Sequence, residues 1–395
     1  MTVLDNLQMA EMGHGRTRKD TDQSAKSLIF TRGLLLLIKL PIVFLLLAAC
    51  RPSGSTPEPA QILYLGWDEA NVVQLWRVGE DGAGGVALTA VSTDLFDFAP
   101  APDGQTIAYS QLNGDGGSAI WQVDRNGRSP RQLLDCPTTL CTDLVWRPDG
   151  QRLLFEQRDS DNSLPTLWWL DVASGQTAPL LADNYAPARS ARFSPAGDWV
   201  SYVSPTEEGV WLYNWTNGRS QFIINPLGSP AAWSPQGDAV VVSDHNLAVL
   251  HGDEGSDHES HGHDFNEAIL LYRVDAATGE RTPLTEALSV DDGAAAWSPD
   301  GAWIAFGRSL WQTAVGRQLW LVRPDGSDAH ALTDEPLLYH GLPHWSPNGR
   351  LLLYQQSAVG ENGRSAIMTL DVATGEQRQV AAEGFQPAWL PPANK

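Results

Sequence analysis

The chain has 395 residues, with 47 acidic against 26 basic side chains and a formal charge of −21. Residues 1–50 hold six Lys/Arg and four Asp/Glu, so the remainder carries −23. A body so charged repels phosphate backbones and anionic lipid surfaces, which argues against nucleic acid and for a protein partner with a basic surface.

The first element is a targeting segment. Basic residues recur up to Lys39, and the apolar run from Leu40 ends in small residues at Ala48 and Ala49. That order matches a secretory signal, and the run is short for a permanent membrane span. Leu47-Ala48-Ala49-Cys50 resembles a bacterial lipobox. The resemblance implies removal of residues 1–49 and lipidation of Cys50. The chain is then expected to be exported, with the lipid as its only membrane contact, on the periplasmic or cell-surface side. Residues 50–60, rich in Pro, Ser and Gly, read as a flexible tether.

The next landmark is the cysteine pair Cys136 and Cys141. In an exported chain an even remaining pair this close together predicts a local disulfide that pins a loop.

From residue 61 onward the sequence repeats. Phe98-Ala-Pro-Ala-Pro-Asp-Gly104, Trp146-Arg-Pro-Asp-Gly150, Phe193-Ser-Pro-Ala-Gly197, Trp233-Ser-Pro-Gln-Gly237, Trp297-Ser-Pro-Asp-Gly301 and Trp345-Ser-Pro-Asn-Gly349 each precede a short apolar run. Pro sets φ for a tight turn, and Gly takes the conformation other residues resist. The runs are rich in β-branched and aromatic residues, and no helical period appears after Cys50. Four short strands per unit, at a period of forty-odd residues, predict an all-β propeller over residues 61–391, with a tail at 392–395. Gln386-Pro-Ala-Trp-Leu-Pro391 repeats the lead of a unit, whereas the strands from Gln61 to Thr89 lack one. The two ends are therefore expected to share one blade. That gives a count of seven, with six or eight as alternatives.

These motifs resemble the Tol-type propeller repeats of TolB and of prolyl oligopeptidase propellers. The resemblance covers residues 61–391 and implies fold, because the matching residues build turns. Two departures stand out. TolB carries an α/β domain ahead of a six-bladed propeller, for which the tether leaves no room. Prolyl oligopeptidases carry a hydrolase domain, and this chain contains no Gly-x-Ser-x-Gly elbow.

With strands a to d running outward from the axis, the b–c and d–a loops share one face, where loop length varies. Binding residues are expected there. The residue before the aromatic of strand a is small in most units. Asp97, Arg192 and His344 break that pattern and are candidate ligand contacts, as are His340 on the same loop as His344 and the carboxylate pair Asp291 and Asp292. An insertion on this face, residues 251–264, carries His251, His258, His261 and His263 among carboxylates. That composition suits Zn²⁺ or another divalent transition metal, although the spacing matches no ordered site and the glycines make the stretch flexible. The expected function is a non-catalytic protein-binding or scaffolding module at the cell envelope. The alternatives are a metal-binding lipoprotein and a hydrolase- or lyase-type enzyme at the channel mouth.

Overall fold

The computed structural model describes residues 60–159, 163–181, 186–245, 268–287, 289–310, 313, 315–360 and 364–393. The targeting segment 1–49, Cys50, the tether up to residue 59, and His251, His258, His261 and His263 lie outside the described residues. All regular structure among those described is β.

The strands succeed one another as antiparallel hairpins. β1 (Gln61–Trp67), β2 (Val73–Gly79) and β3 (Val86–Ala87) lie side by side. β4 (Leu95–Pro100), β5 (Thr106–Leu112), β6 (Ser118–Asp124) and β7 (Arg131–Cys136) form the second sheet. β8 (Leu140–Trp146), β9 (Arg152–Arg158), β10 (Thr166–Asp171) and β11 (Thr177–Pro179) form the third. β12 (Arg189–Phe193), β13 (Trp199–Ser204), β14 (Gly209–Asn214) and β15 (Ser220–Ile224) form the fourth. Next come β16 (Ala232–Trp233), β17 (Ala239–His245), β18 (Ile269–Asp275) and β19 (Arg281–Pro283). They are followed by β20 (Val290–Trp297), β21 (Ile304–Leu310), β22 (Gln318–Val322) and β23 (His330–Ala331). The last sheet holds β24 (Leu338–His340), β25 (His344–Trp345), β26 (Leu351–Ala358), β27 (Ala366–Asp371) and β28 (Gln377–Ala381). Finally β29 (Phe385–Leu390) pairs with β1, Ile62 opposite Trp389, so the first sheet holds both ends of the described chain.

The arrangement is a β-propeller, but the sheets are six rather than the seven separate ones expected. A single parallel bridge, Ile269 to Asp291, joins β18 to β20 and fuses two four-stranded runs into one eight-stranded sheet. In the last sheet Pro343, which has no N–H to give, separates β24 from β25, and both pair with β26.

Each sheet is apolar through its middle strands and packs on its neighbours. Leu63, Leu75, Ile107 and Tyr109 make one such seam, and Leu319, Leu352 and Tyr354 another. The repeat tryptophans add a directional link between neighbouring units. Trp146 Nε1 donates to the Ala99 carbonyl (3.0 Å), Trp297 to Ala232 (3.2 Å), Trp345 to Ala296 (3.0 Å) and Trp389 to His344 (3.0 Å). The Ser of the motif serves the turn that follows. Ser346 Oγ donates to Asn348 and accepts the Leu351 N–H, while Gly349 sits at φ +69°. The face carrying these turns is thus occupied by structural hydrogen bonds.

Candidate functional site

The opposite face opens into a mouth on the propeller axis, formed by two adjoining cavities of about 720 and 590 Å³. Both are sized for a small ligand or an inserted side chain. They share Arg192, Leu342 and His344, and the inner strands supply most of the wall along their length.

A bulge in the inner strands shapes this wall. Register slips occur between Leu95 and Asp97, Thr142 and Val145, Arg189 and Arg192, and Gly293 and Ala296. Asp143, Ser190, Ala294 and Gln386 have φ between 49° and 58°. Non-glycine residues pay for that conformation, and bulges of this kind re-aim the local groups. Here they turn backbone N–H groups toward the preceding unit. Ser190 N–H donates to Glu156 Oε1 (2.6 Å) and Gln386 N–H to Gln355 Oε1 (3.1 Å). Leu144 N–H, beside the bulged Asp143, donates to Asp97 Oδ2 (2.9 Å).

The larger cavity is acidic. Asp97, Asp143 and Glu156 line it together, with Arg158 and Arg192 as counter-charges. Asp97 and Glu156 are each 8% exposed. Burial, opposed by the Leu144 N–H and reinforced by the charge on Asp143, raises Asp97 to about 7. Burial, and next the charge on Asp143, likewise raises Glu156 to about 7. Asp97 Oδ1 and Asp143 Oδ2 are buried without a hydrogen-bond partner among the described residues. Arg192 Nη1 stands 3.5 Å from Asp143 Oδ1 and donates to its neighbour's carbonyl, Ala191 O, at 2.7 Å. His344 meets water in the mouth, yet the protein around it, and then Arg192, hold its imidazole below its usual pKa. It is therefore neutral at pH 7.

No family model matches the chain. Over 203 residues it is 25% identical to a protein of Bacillus subtilis (strain 168) named uncharacterized peptidase YuxL. The match takes in 44% of this chain and 30% of YuxL. Among solved structures, TolB from Acinetobacter baumannii superposes with a TM-score of 0.51 at 18% identity. That match covers 84% of this chain and 67% of TolB. A Mycobacterium tuberculosis puromycin-hydrolyzing peptidase superposes with a TM-score of 0.61 at 14% identity, over 81% of this chain and 51% of that one. The fold is a TolB-like β-propeller. The chain itself spans less than a third of YuxL and about half of the mycobacterial peptidase.

On this propeller Asp97, Arg192 and His344 do meet at the mouth, but Asp97 does so from a different position than expected. Trp146 bonds to the carbonyl of Ala99 as Trp345 does to that of Ala296, so Ala99 is the counterpart of Ala296. Pro100, opposite Ile107, stands where Trp146 stands opposite Leu153. Asp97 is thus the counterpart of Asp143, two residues further up the strand.

His340 is elsewhere. It is fully buried, with Nδ1 2.9 Å from Arg317 O and Nε2 3.1 Å from Glu335 Oε2, so its ring is committed to the fold. Asp292 is also committed. Its buried carboxylate takes a fork from Arg308 Nε (2.6 Å) and Nη2 (2.7 Å), and the guanidinium lies over Trp320. Asp291 keeps its place on the wall of the smaller cavity. Cys136 and Cys141 are joined, with Cα atoms 6.4 Å apart, at the β7–β8 connection on the mouth face. Among the described residues no group of three or more His, Cys, Asp or Glu is arranged to hold a metal.

Sequence reasoning missed Asp143 and Glu156. The signal for Glu156 is a lone charge after Leu153-Leu154-Phe155, inside a run that is otherwise buried.

Proposed function

We propose that this chain is a non-catalytic protein-binding propeller, held at the cell envelope by a lipid on Cys50. The reading treats the eight-stranded sheet as two units, which gives seven around the axis. The observation that carries it is the distribution of exposed apolar side chains. Of the ten large ones among the described residues, all but Val86 lie on the mouth face: on b–c or d–a connections, at the strand ends that adjoin them, or, for Leu342, in the mouth wall. Leu337 is 76% exposed, and Leu164, Ile224 and Leu342 each exceed 50%. An apolar rim around a charged recess has the anatomy of a protein-docking surface. The acidic recess favours a partner that inserts a Lys, an Arg or an amino terminus, in line with the charge of the whole body.

The test is crosslinking in native membranes from a photoreactive residue at position 339. A specific protein should be captured, and Leu337→Glu with Leu342→Glu should abolish capture while the fold persists. Equal capture by this double variant would sink the reading.

A second reading, a propeller working within a peptidase, is favoured by the likeness to YuxL and to the mycobacterial enzyme. Hydrolysis of aminoacyl p-nitroanilides by the purified chain, or by its complex with a captured hydrolase, would support it over a scaffold.

A further inference from the structure

Two glycines face each other in the middle of the eight-stranded sheet, Gly293 on β20 opposite Gly307 on β21. Neither has a positive φ, so the backbone does not demand glycine at either. Strand interiors disfavour glycine unless something must come close. What comes close is Arg317. A Cβ on Gly307 would lie 2.5 Å from Arg317 Cδ and 3.1 Å from its Nε. A Cβ on Gly293 would lie 3.7 Å from Arg317 Nη2 and from Ser243 Oγ. The pair of glycines forms a trough that carries the arginine over the sheet to the wall of the smaller cavity.

The guanidinium arrives there without a counter-charge. No carboxylate lies within 4.0 Å of it among the described residues, and Nε is buried with no hydrogen-bond partner. A buried N–H of a permanent cation is seldom left unpaired. The same cavity presents Arg192, whose contact with Asp143 is long, and the neutral ring of His344. Of the carboxylates on its wall, Asp292 is neutralised by Arg308, leaving Asp291 against two arginines.

We infer that the smaller cavity is an oxyanion site, in which Arg317 and Arg192 grip a carboxylate or phosphate group of a small ligand. Planar, forked donors suit both groups. The site shares Leu227 and Leu342 with the apolar rim but does not depend on a protein partner.

The test follows the arginine Nε–H resonances of the full chain by ¹H–¹⁵N NMR during titration with sodium succinate, sodium phosphate or sodium chloride at constant ionic strength. The Arg317 signal, assigned by its loss in Arg317→Lys, should shift and saturate with succinate, phosphate or both, while that of Arg308 stays in place. Saturation by one anion alone identifies the preferred group. Gly307→Ala, which keeps the arginine but pushes it out of the trough, should weaken binding about tenfold or more. The inference is overturned if neither anion shifts Arg317 beyond the chloride control, or if a folded Gly307→Ala binds as tightly as the parent.

Discussion

Asp97 and Asp143 are counterparts in adjacent sheets, and the backbone next to the second, at Leu144 N–H, holds the carboxylate of the first at 2.9 Å. Two like charges thus stand side by side in the wall of a mouth that buries one of them almost completely. The cost of ionising Asp97 in that burial, increased by the charge on Asp143, is what raises it.

That cost makes stability depend on pH. The folded value, about 7, lies above the ordinary 3.8, so between these limits the folded state binds more protons than the unfolded. The contribution is fully present below about pH 4 and is lost as pH rises through 7. Glu156 acts in the same sense. Asp97→Asn keeps an acceptor for Leu144 and removes the charge. It should stabilise the protein at pH 8 by about 1–2 kcal/mol and flatten the loss between pH 5 and 8, as read from urea unfolding.

Trp345→Phe removes one link between neighbouring units while preserving the ring that packs. It should cost about 1 kcal/mol of unfolding free energy, read as a lowered denaturant midpoint, most of it from the Ala296 carbonyl left without its donor. Phe193 already stands at the equivalent position in β12 and makes no such bond.

Arg308→Ala strands the Asp292 carboxylate, which is 0% exposed. A loss of about 3–5 kcal/mol is expected. The double variant Asp292→Ala with Arg308→Ala should recover a large part of it, because no buried charge remains unpaired. Thermal denaturation of these two variants and of Asp292→Ala alone would show a non-additive cycle; additive losses would mean that the pair is not coupled.

Reduction of Cys136–Cys141 opens a closed segment of only six residues. The chain-entropy relation gives about 2 kcal/mol for so short a loop. Melting with and without dithiothreitol measures it. The loss should be absent in a Cys136→Ser and Cys141→Ser double variant, which melts at the reduced temperature in both conditions.

The repeat motif made the fold legible because its Pro and Gly solve one backbone problem again and again. The recess was legible only in part. Asp97 stood out as a polar residue in a run of small ones, yet its register was hidden: Pro100 takes the place of the tryptophan that marks the position in most other units. Asp143 and Glu156 come together through bulges that the sequence does not spell, since an Asp at φ 49° is written like any other Asp. Asp291 and Asp292 read as a pair, but adjacent strand residues point to opposite sides. Both border the smaller cavity, but only Asp292 is tied down, by an arginine sixteen residues away. The sheet fused at Ile269 and Asp291 rests on a single backbone bridge, for which no side chain is responsible.

The pairing of β29 with β1 also governs when the ring can form. The first strand has no inner neighbour until residues 385–390 have been made, more than three hundred positions later. A growing chain can assemble the intervening hairpins locally, but its opening sheet waits as an unpaired edge throughout synthesis. Contacts of such sequence separation close slowly. The last native contacts of this molecule are thus expected to be those between its earliest and its latest strands.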